Sequence, residues 1–176
     1  MKRKRERPSW EESYMFSALW AATRSSCLYI RTGAVIVKDK RIIASGYNGA
    51  PPNVKNCLEV GCRKDEMGVK FEDKGKGVCR GMHAELNAMV QIARKDLKGT
   101  ALYSVYLPCS PCAKVIVGSG IEKVVYIKHY SEEDCLTKEQ FAEVGIKLEQ
   151  IDLDIEKCFR QIRAGHNVKG ESETKK

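Results

Sequence analysis

His83-Ala84-Glu85 and Pro108-Cys109-Ser110-Pro111-Cys112 are the two short runs in this chain whose residue types suit bond-making chemistry. One imidazole and two thiolates make three soft ligands, which leave a tetrahedral ion a fourth position for water. That donor set suits a catalytic zinc ion rather than a closed structural one. The C-x-x-C spacing puts both sulfurs on one helical turn, so Cys109 and Cys112 can both reach one ion, with His83 the third ligand expected. Both runs read as helix N-termini, where unpaired N–H groups and the positive dipole end favour thiolate over thiol. Glu85 stands two residues from His83, off the metal-binding face but within reach of the fourth position. Zinc lowers the pKa of a bound water from about 15.7 to about 7. Glu85 is then the acid–base group that takes the proton and passes it to a ring nitrogen and a leaving amine. The chemistry is attack of hydroxide on an amidine carbon with loss of ammonia. Half of a structural four-cysteine site is the competing reading of Cys109 and Cys112, and it has no use for Glu85.

The elements that must position these groups follow from pattern. Ser9 and Glu12 form an S-x-x-E capping box behind Pro8 and open a helix to about Ser26, with Phe16, Leu19, Trp20 and Thr23 at helical spacing. Gly33 to Lys38 and Arg41 to Ser45 read as a hairpin around Lys38-Asp39-Lys40. Residues 46–81 lose all periodicity, and a structureless loop of that length in a compact domain needs something else to organise it. His83 to Lys95 reads as a helix with Leu86, Met89, Val90 and Ala93 on one face. Strands at Ala101 to Tyr106, Lys123 to Ile127 and Ile146 to Ile151 alternate with helices at Pro108 to Val117, 137–144 and Asp154 to Arg163. The order α-β-β-α-β-α-β-α-β-α predicts an α/β fold, a three-layer α-β-α sandwich around a five-stranded mixed sheet.

Composition narrows the setting. The 176 residues are 43% hydrophobic and 31% charged, as in a globular domain. No apolar run is long enough to span a membrane, and no apolar segment follows the basic start as in a secretory signal. Cytoplasm is the expected compartment. Residues 1–7 carry five basic side chains and one acidic, and the last eight carry three Lys and two Glu, so about +3 of the net +8 belongs to the body. That mild surplus suits an anionic nucleotide. The expected organisation is a disordered basic arm at 1–8, one domain at 9–165 and a disordered tail at 166–176. Eight cysteines in a reducing compartment point to metal or catalysis rather than disulfides.

H-A-E followed by P-C-x-x-C is the pattern of zinc deaminases. Five motifs in order narrow it further: T-G-A-V-I-V (32–37), G-Y-N-G-A-P (46–51), H-A-E-L-N-A (83–88), P-C-S-P-C-A-K (108–114) and S-G-I-E-K-V-V-Y (119–126). With these the chain resembles the deoxycytidylate (dCMP) deaminase family of the cytidine deaminase superfamily over residues 10–150. The resemblance implies the cytidine deaminase-like fold and hydrolysis of dCMP to dUMP. It further implies that Asn48 lies near sugar and base, Arg31 near the 5′-phosphate, Tyr130 at the nucleotide pocket, and the Ala84 N–H at the base carbonyl. It also implies a homo-oligomer, a hexamer, activated by dCTP and inhibited by dTTP through the G-Y-N-G region.

Cys27, Cys57, Cys62 and Cys79 remain, three of them inside the irregular stretch 46–81. Four thiolates would close a second, structural zinc and pin that loop, and the resemblance adds that some family members carry an extra zinc here. Four separate buried thiols are the competing reading. Two alternatives to dCMP stay in view: a cytosine deaminase acting on dCTP, and one acting on a polynucleotide. G-Y-N-G and the lack of an aromatic-rich flank for stacking flipped bases speak against nucleic acid. A non-enzymatic zinc module has no need of Glu85 beside an open metal position.

Overall fold

The structure, a computed structural model, describes residues 7–70, 77–130 and 135–166. Most of the expected arm and nearly all of the expected tail lie outside the described residues. Five strands form one sheet: β1 (Gly33–Lys38), β2 (Arg41–Tyr47), β3 (Ala101–Tyr106), β4 (Lys123–Lys128) and β5 (Lys147–Gln150), in the order β2-β1-β3-β4-β5. β1 is antiparallel to both neighbours, and β3, β4 and β5 are parallel. Asp39 and Lys40 both take positive φ between β1 and β2, as a tight two-residue hairpin of the right twist requires. The parallel strands need helical crossovers, supplied by α6 (Ser110–Ser119) and α7 (Cys135–Val144).

Alternation along the strands sorts the layers. Ala34, Ile36, Leu102 and Val124 face one side, packed with Ala88 and Met89 of α4 (Ala84–Met89), Ile116 of α6 and Phe141 of α7. Val35, Val37, Tyr103, Val105 and Val125 face the other, packed with α1 (Trp10–Ala22) and with Cys158 of α8 (Ile155–His166). The expected three-layer sandwich around a mixed sheet is observed. Because β1 runs against its neighbours, its start at Gly33 pairs with Tyr47 at the end of β2, and Ala34 pairs with Ser104 of β3, itself paired with Tyr126 of β4. The ends of β2, β3 and β4 therefore open at one pole of the sheet, where open α/β sheets bind ligands.

Three details differ from the sequence expectation. The capping box is present, with Ser9 Oγ accepting from Glu12 N at 3.0 Å and Ser9 N donating to Glu12 Oε2 at 2.6 Å, but α1 ends at Ala22. Its buried face is Tyr14, Met15, Ala18 and Ala22, while Trp20 is 65% exposed. Close approach decides this: a Cβ on Gly33 would stand 2.1 Å from the Ala18 carbonyl oxygen, so small residues rather than the largest ones face the sheet. The expected helix 83–95 is two pieces, α4 and the short α5 (Arg94–Leu97). After Met89 the backbone tightens to i−3 bonds, from Gln91 N to Ala88 O and from Ile92 N to Met89 O, and Val90 turns out to solvent. The stretch 46–81 holds two one-turn helices, α2 (Cys57–Val60) and α3 (Arg63–Glu66), with residues 71–76 outside the described ones.

Gly46 does for α4 what Gly33 does for α1. A Cβ there would lie 2.4 Å from both Ala84 O and Ala88 N. Gly46→Ala is expected to cost about 1–3 kcal/mol through overpacking and to lower activity by displacing the start of α4. Denaturant midpoints beside kcat on the same preparation check this, and an unchanged midpoint would show that α4 does not depend on this contact.

Candidate active site

His83 occupies the N-cap of α4, and Cys109 the N-cap of α6. Each follows an extended segment tied to the sheet. Gly49 and Met82 form an antiparallel bridge, with N···O distances of 3.2 and 2.8 Å, that sets His83 against the exit of β2. Asn87 Nδ2 donates to Tyr47 O and Gln91 Nε2 to Ser45 O, both at 2.8 Å, strapping α4 along β2. Leu107 N donates to Lys128 O at 2.8 Å, and the fully buried Thr137 hydroxyl donates to Pro108 O at 3.0 Å. These bonds hold the turn that carries the thiols.

His83 Nδ1 lies 3.3 Å from the Sγ of both Cys109 and Cys112. These three donor atoms lie within 4.8 Å of one another, the only such group of three or more among the described residues. Bonds of about 2.0 Å to nitrogen and about 2.3 Å to sulfur would put tetrahedral ligands roughly 3.5 Å apart, so the donor set fits zinc. The Cys109 thiol is pulled down to about 4, first by its hydrogen bond with Cys112, then by His83, with burial opposing. Cys112, fully buried, is pushed up by that same bond and by desolvation. A bound zinc ion would hold both sulfurs as thiolates, so metal binding would release protons.

Glu85, 5% exposed, places Oε2 3.8 Å from Cys112 Sγ and Oε1 3.3 Å from the Ser104 hydroxyl. Burial pushes its carboxyl above the usual range, with its own backbone N–H and His83 opposing. A carboxyl whose hold on a proton is strengthened suits a group that must take one and give it back.

The residues expected to touch a nucleotide gather at the same pole. Asn48 is buried directly after β2. Its Oδ1 accepts from Thr32 N and its Nδ2 donates to Ile30 O, each at 2.9 Å. Its amide is therefore spent on the backbone that carries Arg31, which is itself exposed. Ala84 is the first residue of α4, where main-chain N–H groups lack intrahelical partners. Tyr130 is half-buried and meets Tyr106 edge-on at 6.0 Å, beyond the exits of β3 and β4.

Cys27, Cys57, Cys62 and Cys79 are grouped more loosely. All are free thiols, and Cys57 is pushed up first by burial and then by the charges of Cys62, Cys27 and Cys79. Cys79 Sγ accepts from Gly81 N at 3.4 Å. Their sulfurs do not come together as the His83 group does. Tyr29 donates a hydrogen bond to Asp65 of α3, linking this region to the segment before β1 and pushing the phenol up to about 12. Sequence reasoning passed over Ser104, Thr137 and Tyr29. For Ser104 a signal existed: it is a hydroxyl on the strand face otherwise set by Leu102 and its apolar neighbours. Thr137 and Tyr29 act through distant partners and left none.

Comparison with known proteins agrees with this geometry. The family described as the cytidine and deoxycytidylate deaminase zinc-binding region matches residues 8–128. The deoxycytidylate deaminase of Mycobacterium phage D29 is 42% identical over 124 residues, covering 69% of this chain and 97% of that protein. The deoxycytidylate deaminase of Saccharomyces cerevisiae is 38% identical over 129 residues, covering 73% of this chain but 40% of that larger protein. The dCMP deaminase of cyanophage S-TIM5, solved with dCMP and dUMP, superposes with a TM-score of 0.67 at 29% identity over 84% of this chain and 100% of that one. With a His/Cys/Cys cluster at the pole of a five-stranded mixed sheet, this chain belongs to the zinc-binding cytidine and deoxycytidylate deaminase family.

Proposed function

We propose that this chain hydrolyses dCMP to dUMP and releases ammonia. The observation that carries this is Glu85, a buried carboxylate set beside the His83, Cys109 and Cys112 donors. The phage relatives named for this activity support the choice of substrate. When bound, zinc supplies a Lewis acid that activates water. His83 Nδ1 and the sulfurs of Cys109 and Cys112 would hold it. Glu85 Oε2 carries one proton of the attacking water to the ring nitrogen and then a second to the departing amine, which leaves as ammonia. The Ala84 N–H donates to the base carbonyl. Tyr130, braced on Tyr106, walls the pocket, and Arg31 offers a cation to the 5′-phosphate. Asn48 shapes the sugar side by holding the backbone of residues 30–32.

We also propose a second zinc on Cys27, Cys57, Cys62 and Cys79, supported by the influence of the other three thiols on Cys57 and by four thiols being a donor set that closes a structural site. That ion would pin the 46–81 segment within a single domain at 9–165. A cytoplasmic homo-oligomer, a hexamer, responding to dCTP and dTTP completes the proposal. The free thiols suit a reducing compartment, exposed Val90 and Val115 supply apolar area for a second copy to cover, and among the described residues no helix is long and apolar enough to cross a membrane.

A substrate panel tests the activity: cytidine, deoxycytidine, dCMP, dCTP and single-stranded DNA, followed by ammonia release with and without added dCTP and dTTP. Fastest turnover is expected on dCMP; preference for dCTP or DNA would overturn it. Metal analysis is expected to find about two zinc per chain, and one per chain would sink the four-cysteine site.

A further inference from the structure

Ser104 is fully buried halfway along β3, between Ala34 of β1 and Tyr126 of β4 in register. The buried surface around it on that face is Ala34, Ile36, Leu102 and Val124. An alanine or valine would suit such a surface better, because a buried hydroxyl loses its water and must find a partner. That partner is Glu85: the Ser104 hydroxyl donates to Oε1 at 3.3 Å. The other oxygen, Oε2, is the one on the side of Cys112. The two oxygens of Glu85 are thus inequivalent, one anchored to the sheet and one facing the metal ligands.

We propose that Ser104 is a positioning residue for Glu85, holding Oε1 against β3 so that Oε2 is the oxygen that carries the proton. A hydroxyl can donate to Oε1 whether Oε2 is protonated or not, so the side chain need not turn between accepting the proton and releasing it. A flexible carboxylate would instead divide its time among rotamers, and misplacement by a fraction of an ångström weakens proton transfer. β3 is the central strand of the sheet, hydrogen-bonded on both sides. This role rests on the acid–base function proposed for Glu85.

The test compares Ser104→Ala, Ser104→Cys and Ser104→Thr in the zinc-loaded protein. Ser104→Cys keeps nearly the same volume but is a weak donor, and it decides the matter should the alanine variant fold poorly. Ser104→Thr keeps the hydroxyl. Four quantities are read: kcat and KM for dCMP, zinc per chain, melting temperature, and the carbon-13 resonance of the Glu85 carboxyl, assigned by its loss in Glu85→Gln. Alanine and cysteine are expected to lower kcat about 10- to 100-fold with KM within about twofold, and to shift or broaden the Glu85 resonance at unchanged zinc content. Threonine is expected to restore both kcat and the resonance. An alanine variant with kcat within about twofold of the parent overturns the proposal, as does a loss of kcat that leaves the Glu85 resonance in place. Glu85→Gln separates the two levels of inference. If it keeps full activity, the role of Glu85 itself fails. If it abolishes activity while Ser104→Ala does not, only the role of Ser104 fails.

Discussion

Glu85→Gln lowers kcat for ammonia release from dCMP by a factor of about 10³, within the range that positioned acid–base groups contribute. Glutamine has the same shape, and its carbonyl oxygen can still accept from Ser104. Glu85 is not among the three zinc donors, so zinc content stays at the parent value. What disappears is the ability to take a proton and return it. The fold does not weaken, because burial already disfavours the charged carboxylate, and a neutral amide removes that cost at pH 7. The melting temperature is therefore no lower than the parent's, as often found when a buried functional group is neutralised. Ammonia release measured beside zinc content and melting temperature checks the prediction. Undiminished release would rule out Glu85 as the proton carrier.

Cys112→Ser acts on the metal instead. Cys112 is fully buried at the first turn of α6, with its sulfur 3.3 Å from His83 Nδ1. A serine hydroxyl is a harder donor and its bond to carbon is shorter, so it reaches the ion less well and is not ionised near neutrality. Zinc per chain is expected to fall by one. Deamination falls by a factor of about 10³ or more, since the Lewis acid contributes on the order of several kcal/mol to the barrier. The melting temperature also falls, because an ion that binds only the folded chain stabilises it. Cys158→Ser serves as the control: that thiol is buried on the opposite face of the sheet, among the α1 and α8 side chains, so it can cost stability but not zinc. Full zinc content in Cys112→Ser would remove Cys112 from the ligand set.

Much of this protein was determined at the level of sequence because its decisive features are local. A donor set written as H-A-E and P-C-x-x-C depends on helix starts a few residues long, and the structure brings His83, Cys109 and Cys112 together. The order of strands and helices was likewise enough for the layers, since each apolar face must be buried against another element. Tertiary structure decided what depends on contacts between distant segments. Which face of α1 is buried follows from the approach of Ala18 and Ala22 to Gly33, and helical spacing of large residues pointed to Trp20 instead. The break after Met89, where the backbone passes to i−3 bonds, interrupts a helical periodicity that continues through Ala93. Asn48 was expected at the nucleotide, but only the folded chain shows both ends of its amide spent on residues 30–32. Ser104 is the clearest case. It lies 19 residues from Glu85 in the chain, and only the packing of β3 under α4 brings its hydroxyl to the carboxylate.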